Sequence, residues 1–194
     1  AMPVVQADLQ DAGRIGDALV DQGRVDLNIL FDFAQATIRP HSARFEAEGG
    51  YPRSLFEEMA GLGLWGMTAP EAYGGAEADS VSYALALMEL AAADGALSTI
   101  VSIQNSILVS GLLKDGSEEQ KARFLPPMAR GEVIWAQAWS EPGAGSDMAA
   151  IQSKAVRDGD HYVITGQKTW SSRAAFADWG FGIFRTDPDS KRHK

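Results

Sequence analysis

The feature that most constrains this chain is a change of hydrophobic period near Gly131. Before it, apolar residues recur at the three- and four-residue spacing of helices. After it come short runs rich in β-branched and aromatic residues, bounded by turn residues, as in strands. A helical block followed by a block of strands predicts an α+β protein rather than an alternating βαβ sheet. The divisions expected are an N-terminal arm over residues 1–24, an all-α domain over 25–131 and an antiparallel β domain over 132–194. The last is only about sixty residues long and looks incomplete.

Within the helical block, Leu27, Leu30, Phe31, Ala34 and Ile38 share one face, and Pro40 should kink or end that helix. Pro52 stands where the next helix begins. Leu55, Phe56, Met59 and Leu62 form its apolar stripe, and Gly63 is suited to cap its end. Residues 70–79, with Gly74-Gly75, read as a loop. Residues 80–94 and 96–113 are apolar on more than one face, which predicts interior helices. Ser117-Glu118-Glu119-Gln120 matches a capping box, so a helix should start there and stop before Pro126-Pro127. Among the strands, 153–156 and 161–165 flank Asp158-Gly159, a hairpin signal; 133–139 and 179–186 are further strands.

Composition narrows the function. The 194 residues are 45% hydrophobic and 22% charged, ordinary for a soluble globular protein. A net charge of −9 argues against nucleic-acid binding and against anionic membranes. The residues at 191–194 are a basic end on this acidic protein. The absence of cysteine removes disulfides and thiolate chemistry; it suits a cytoplasmic location. No apolar run approaches the ~20 residues of a membrane span. His41, His161 and His193 fit no zinc spacing, so no metal is expected. Gly145-Ser146 does not complete a G-x-S-x-G elbow. Met148 stands where a dinucleotide-binding fingerprint needs its third glycine, and no βαβ unit precedes it.

Two stretches carry chemistry. In Trp139-Ser140-Glu141-Pro142-Gly143-Ala144-Gly145-Ser146-Asp147, Pro142 fixes one φ and the two glycines free the next ones. Backbone N–H groups and a short hydroxyl can then approach a ligand closely. Gly166-Gln167-Lys168-Thr169-Trp170-Ser171-Ser172 adds a flat aromatic and further hydroxyls. Together they suit a large, flat, polar-edged ligand. Plainer readings stand beside this one: a glycine turn can merely join strands, and a strand tryptophan is usually core. Trp135 and Trp139 share one face with Gln137 between them, which favours domain packing for the two rings.

These stretches resemble the two flavin-contacting segments of the acyl-CoA dehydrogenase family. The likeness extends to Tyr51-Pro52-Arg53, to Ala69-Pro70-Glu71-Ala72-Tyr73-Gly74-Gly75, to Gln104-Asn105-Ser106 and to Gly116-Ser117-Glu118-Glu119-Gln120-Lys121. It implies an N-terminal helical domain, a middle β domain and a C-terminal helical bundle, with FAD as cofactor. By this resemblance the Trp139 main chain and Ser140 contact the flavin ring, Trp170 lies against it and Ser172 bonds near its reactive edge. Ser146 lies near the acyl-CoA chain. Gln137 stands at a flavin-proximal position often aromatic in the family. The implied reaction is α,β-dehydrogenation of an acyl-CoA thioester, with electron-transfer flavoprotein or a similar acceptor. The implied assembly is a homodimer or homotetramer. The proton acceptor is normally a glutamate of the C-terminal bundle, expected beyond residue 194. Glu141 is better explained by folding its loop than as a base. On this view the 194 residues alone are inactive and are completed by a longer chain or another polypeptide. A related flavin monooxygenase or oxidase, or a non-catalytic interaction subunit, is the alternative.

Overall fold

The computed structural model describes residues 20–21, 24–187 and 189. They group into two compact units, one up to Val133 and one from Ile134. Most of the arm expected over 1–24 lies outside the described residues, as does the basic end at 191–194. Val20–Asp21 (β1) and Arg24–Val25 (β2) form a short antiparallel pair.

Helix α1, Leu27–Phe33, begins at Asp26, whose carboxylate accepts the N–H groups of Asn28 and Ile29 at 2.9 and 3.4 Å. Two donors that a helix start leaves open are thereby satisfied. The chain continues through a π-helical stretch, Ala34–Ile38, and a 3-10 turn, Arg39–His41, into α2, Ser42–Glu48. Pro40 lies in that 3-10 turn, so the expected interruption takes the form of a change in helical type. Helix α3, Arg53–Gly61, follows Pro52 and buries Leu55, Phe56 and Met59. Gly63 closes it by donating to the Ala60 carbonyl at 2.9 Å. Packed rings run from His41 through Phe45, Tyr51 and Phe56 to Trp65, with successive centroids 6.0, 5.3, 6.1 and 5.2 Å apart. The buried Trp65 indole donates to the Phe56 carbonyl at 2.9 Å.

Helix α4, Ser80–Ala93, is capped by Asp79; α5, Gly95–Ile103, is capped by Asp94 and runs through a π-helical stretch, Gln104–Val109, into α6, Ser110–Asp115. Here the structure corrects two expectations. Helix α4 packs on α1 and α5 through Ala86, Leu90 and Ala93, but Val81 and Met88 are 68% and 65% exposed. It is buried on one side, not all round. Second, residues 95–115 form 21 continuous helical residues that are long and apolar enough to cross a membrane by length and composition. Polar residues break this run in the sequence, which hides it. Two of them tie the helix into its own unit. Asn105 accepts the Thr68 N–H at 3.2 Å and donates to the Leu64 carbonyl at 2.8 Å; Gln104 donates to the Val133 carbonyl at 2.9 Å. Satisfied buried amides of this kind belong to a core helix.

Helix α7, Glu118–Ala129, carries the expected capping box: Ser117 N–H to Gln120 Oε1 at 2.8 Å, and Gln120 N–H to Ser117 Oγ at 3.2 Å. It does not stop before Pro126. A proline lacks a donor but keeps its acceptor, and the carbonyls of Pro126 and Pro127 take the N–H groups of Arg130 and Glu132 at 3.1 and 3.0 Å.

The second unit holds β3, Trp135–Ala138, β4, Lys154–Asp158, β5, His161–Thr165, and β6, Trp179–Gly182. Strands β4 and β5 form the antiparallel hairpin, with Asp158 opposite His161. The turn residues are therefore Gly159-Asp160, one position later than the Asp158-Gly159 signal. Gly159 carries the positive φ of 65° at the first central position, where a type II′ turn places glycine. Strands β3 and β6 pair in parallel, Trp135 with Trp179 and Gln137 with Phe181. This departs from the antiparallel pairing expected, and the long connection between the two strands supplies the crossover it needs. The Trp135 and Trp179 rings stack at 5.9 Å. Ala144, Ala150 and Ile151 form a small core with Met148 and Ile183.

Candidate functional site

Glu141 and Ala144 exchange backbone hydrogen bonds at 2.8 and 3.0 Å, making a narrow turn with Pro142-Gly143 at its tip. Neither Gly143 nor Gly145 has a positive φ, and no described atom stands within 4 Å of the Cβ that either would gain. The freed φ angles expected from the sequence are therefore not what these glycines supply; they leave open space. Gly166 is the opposite case, with φ of 150° and a Cβ position that would collide with Ser153. The turn and residues 152–154 and 165–167 border a cleft of about 440 Å³.

Beneath the turn lies a buried ion pair. The Lys168 ammonium donates to Glu141 Oε1 at 2.9 Å, to the Trp139 carbonyl at 2.9 Å and to the Ile183 carbonyl at 2.7 Å. It also lies 5.1 Å from the Phe184 ring centroid. The Glu141 carboxylate accepts the N–H groups of Gln152 and Ser153 at 2.6 and 2.9 Å. Burial opposes its charge, yet these N–H groups and Lys168 outweigh that cost and hold the carboxyl at about 2. So acidic a group is a poor proton acceptor near neutrality. Glu141 folds its loop.

The same geometry joins the two stretches singled out in the sequence. Besides the Lys168 bond to Trp139, the Thr169 N–H donates to the Ser140 carbonyl at 2.9 Å. Gln137 is half-buried on β3, two residues after Trp135 and two before Trp139. The Trp139 ring packs 6.3 Å from Phe181, and its buried Nε1 meets no hydrogen-bond acceptor among the described residues. Ser140 is half-buried, and Ser146 is exposed beyond the turn. Trp170 is 75% exposed and has φ of 51°. Ser172 is exposed and donates its N–H to the Trp170 carbonyl at 2.9 Å; the neighbouring Ser171 Oγ is buried with no partner among the described residues. Arg173 follows with φ of 74°. Positive φ at two non-glycine residues in so short a stretch concentrates backbone strain, as ligand-binding segments often do. Lys168 was not singled out as a site residue from the sequence. Its signal is that it stands as the one formal charge among residues 161–172.

Residues 29–132 match the family model described as acyl-CoA dehydrogenase, N-terminal domain, and residues 136–194 match acyl-CoA dehydrogenase, middle domain. A probable acyl-CoA dehydrogenase of Bacillus subtilis is 40% identical over 146 residues, which is 75% of this chain and 38% of that protein. Among solved structures, acyl-CoA dehydrogenase from Geobacillus kaustophilus aligns with a TM-score of 0.79 and 31% identity, covering 97% of this chain and 46% of that one. Glutaryl-CoA dehydrogenase from Mycobacterium smegmatis, in complex with FADH2, aligns with a TM-score of 0.79 and 34% identity over 88% of this chain and 44% of its own. The chain thus spans less than half the length of each of these relatives.

Proposed function

The chain belongs to the acyl-CoA dehydrogenase family, and from that premise we propose that it supplies the helical domain and flavin-facing β segment of an FAD-dependent acyl-CoA dehydrogenase. The observation that carries this reading is the junction of residues 139–141 with 168–169, which holds a main-chain edge beside an exposed tryptophan. Trp139 and Ser140 would offer that edge to the flavin, Trp170 a stacking face and Ser172 a hydroxyl, with Gln137 close by. Ser146 would meet the acyl-CoA chain. The fit is supported by buried polar atoms that no described residue satisfies, Trp139 Nε1 and Ser171 Oγ, and by the open space at Gly143 and Gly145.

Bound FAD supplies the acceptor for the hydride that leaves the acyl β-carbon. The chain's own contribution is to orient that acceptor, to exclude water and to donate hydrogen bonds where charge develops. The base that takes the α-proton is assigned to a segment outside this chain, so the 194 residues alone are expected to be inactive. Electron-transfer flavoprotein or a similar protein is the proposed electron acceptor, and a homodimer or homotetramer the proposed assembly. One relative's structure contains FADH2, which favours this cofactor here.

The test is the full-length protein. Purified wild type should be yellow, and Trp170→Ala apoprotein should bind FAD at least tenfold more weakly in titration. Turnover of acyl-CoA with an artificial acceptor, and not with dioxygen alone, should follow. A colourless wild type, or unchanged affinity in the tryptophan variant, counts against the reading.

A further inference from the structure

Lys168, part of the junction on which the reading above rests, sits in an enclosed site beneath the turn. Its three N–H bonds go to three oxygens, two in the 139–141 stretch and one at Ile183, which uses every donor an ammonium has. The Phe184 ring faces the same cation. One acceptor differs in consequence from the other two. The Trp139 carbonyl belongs to the same peptide as the Ser140 N–H. An ammonium on that oxygen draws electron density along the peptide and makes the N–H a stronger donor, an effect that low local dielectric enlarges. The next peptide is held as well, because the Ser140 carbonyl accepts the Thr169 N–H. Glu141 keeps the cation in place, but its two oxygens are shared with the N–H groups of Gln152 and Ser153, so the carboxylate does not act on Lys168 alone.

We propose that Lys168 is a positioning residue for the flavin, which fixes and polarises the Trp139–Ser140 peptide so that its N–H binds reduced flavin more strongly than oxidised. This rests on the flavin reading. Reduction adds negative charge to a flavin, so a strengthened donor favours the reduced form and raises the potential. A packing role alone would change the affinity for both forms alike.

The experiment compares full-length wild type with Lys168→Gln, Lys168→Met and Lys168→Arg. FAD affinity comes from apoprotein titration, the potential from dye equilibration and folding from thermal unfolding of the apoproteins. Glutamine keeps a donor for the Trp139 carbonyl without the charge; methionine removes both. Both neutral variants should lose about tenfold more affinity for reduced than for oxidised flavin, a fall of about 30 mV for a two-electron couple. Arginine should restore most of the difference. A folded glutamine variant with wild-type potential, or equal weakening of both forms, overturns the proposal; if methionine prevents folding, the glutamine and arginine variants decide. Wild type that binds no FAD overturns the flavin reading itself, a result distinct from a yellow wild type whose variants keep its potential.

Discussion

The helical unit hydrogen-bonds its buried polar groups, whereas the strand unit pairs some, Glu141 with Lys168 among them, and leaves others without a described partner. In the first, Ser82, Asp94, Ser98, Gln104 and Asn105 are buried, and each is hydrogen-bonded within the unit. In the second, Trp139 Nε1 and Ser171 Oγ are buried without a described partner, and both belong to the candidate site. Among the described residues, the largest fully buried apolar side chains all lie in the helical unit, although Val81 and Met88 there are exposed. Leu30, Leu90, Leu97 and Leu108 are wholly enclosed, whereas Tyr162, Val163 and Ile164 on β5 are each about half exposed or more. The difference separates a unit that satisfies its own groups from one whose surfaces are shaped for further neighbours.

Removing the buried Glu141–Lys168 ion pair of the strand unit should do the most to sharpen this contrast. Glu141→Ala leaves the Lys168 ammonium buried without its carboxylate, a loss of about 3–5 kcal/mol. Hydrogen exchange should then accelerate in β3 and β6 while α5 stays protected; acceleration in both units together would break the comparison. The same carboxylate gives a pH test. Its folded value of about 2 lies below its ordinary 4.5, so its stabilisation is present above pH 4.5 and is lost as pH falls towards about 2. Glu141→Gln should flatten that part of the acid-unfolding curve.

The helical unit should answer a smaller change at its end. Gly131 has φ of 62°, and a Cβ there would collide with the Trp65 ring. Gly131→Ala should cost about 2 kcal/mol, read as a lower urea midpoint for the helical signal. Asp94 caps α5 through the Leu97 N–H at 2.9 Å and accepts from Ser42 at 2.7 Å and Tyr51 at 2.9 Å. Asp94→Ala should remove roughly 1–2 kcal/mol from the same transition. Weakest of all, Val163→Thr on exposed β5 should change stability by less than about 0.5 kcal/mol. A large loss there would mean that β5 is better packed than its exposure indicates.

What the sequence made legible was local. The Ser117–Gln120 capping box has its donors and acceptors within three residues, and the β4–β5 hairpin was a residue away from its signal. The helix through Pro126 and Pro127 was missed because a proline's missing donor is visible in the sequence and its surviving acceptor is not. One exposed side of α4 was equally hidden, since composition cannot say which neighbours an apolar face will find. In the candidate site, the flat aromatic and the turn could be named from the residues. Lys168 could not, because its partners at 139, 141 and 183 meet only when β3, the turn and the segment after β6 are folded together.

The widened helical turn at Gln104–Val109 ties function to residue count. In a regular helix each residue advances the chain by about 100°, whereas a π turn absorbs one residue more than its neighbours do. The stretch therefore acts as a phase adjuster between α5 and α6. It lets Leu97 and Val101 before it, Leu108 within it and Leu112 after it all face inward. Loss of a single residue there would leave a good helix with one half turned out of phase, so that stretch tolerates substitution more readily than a change of length.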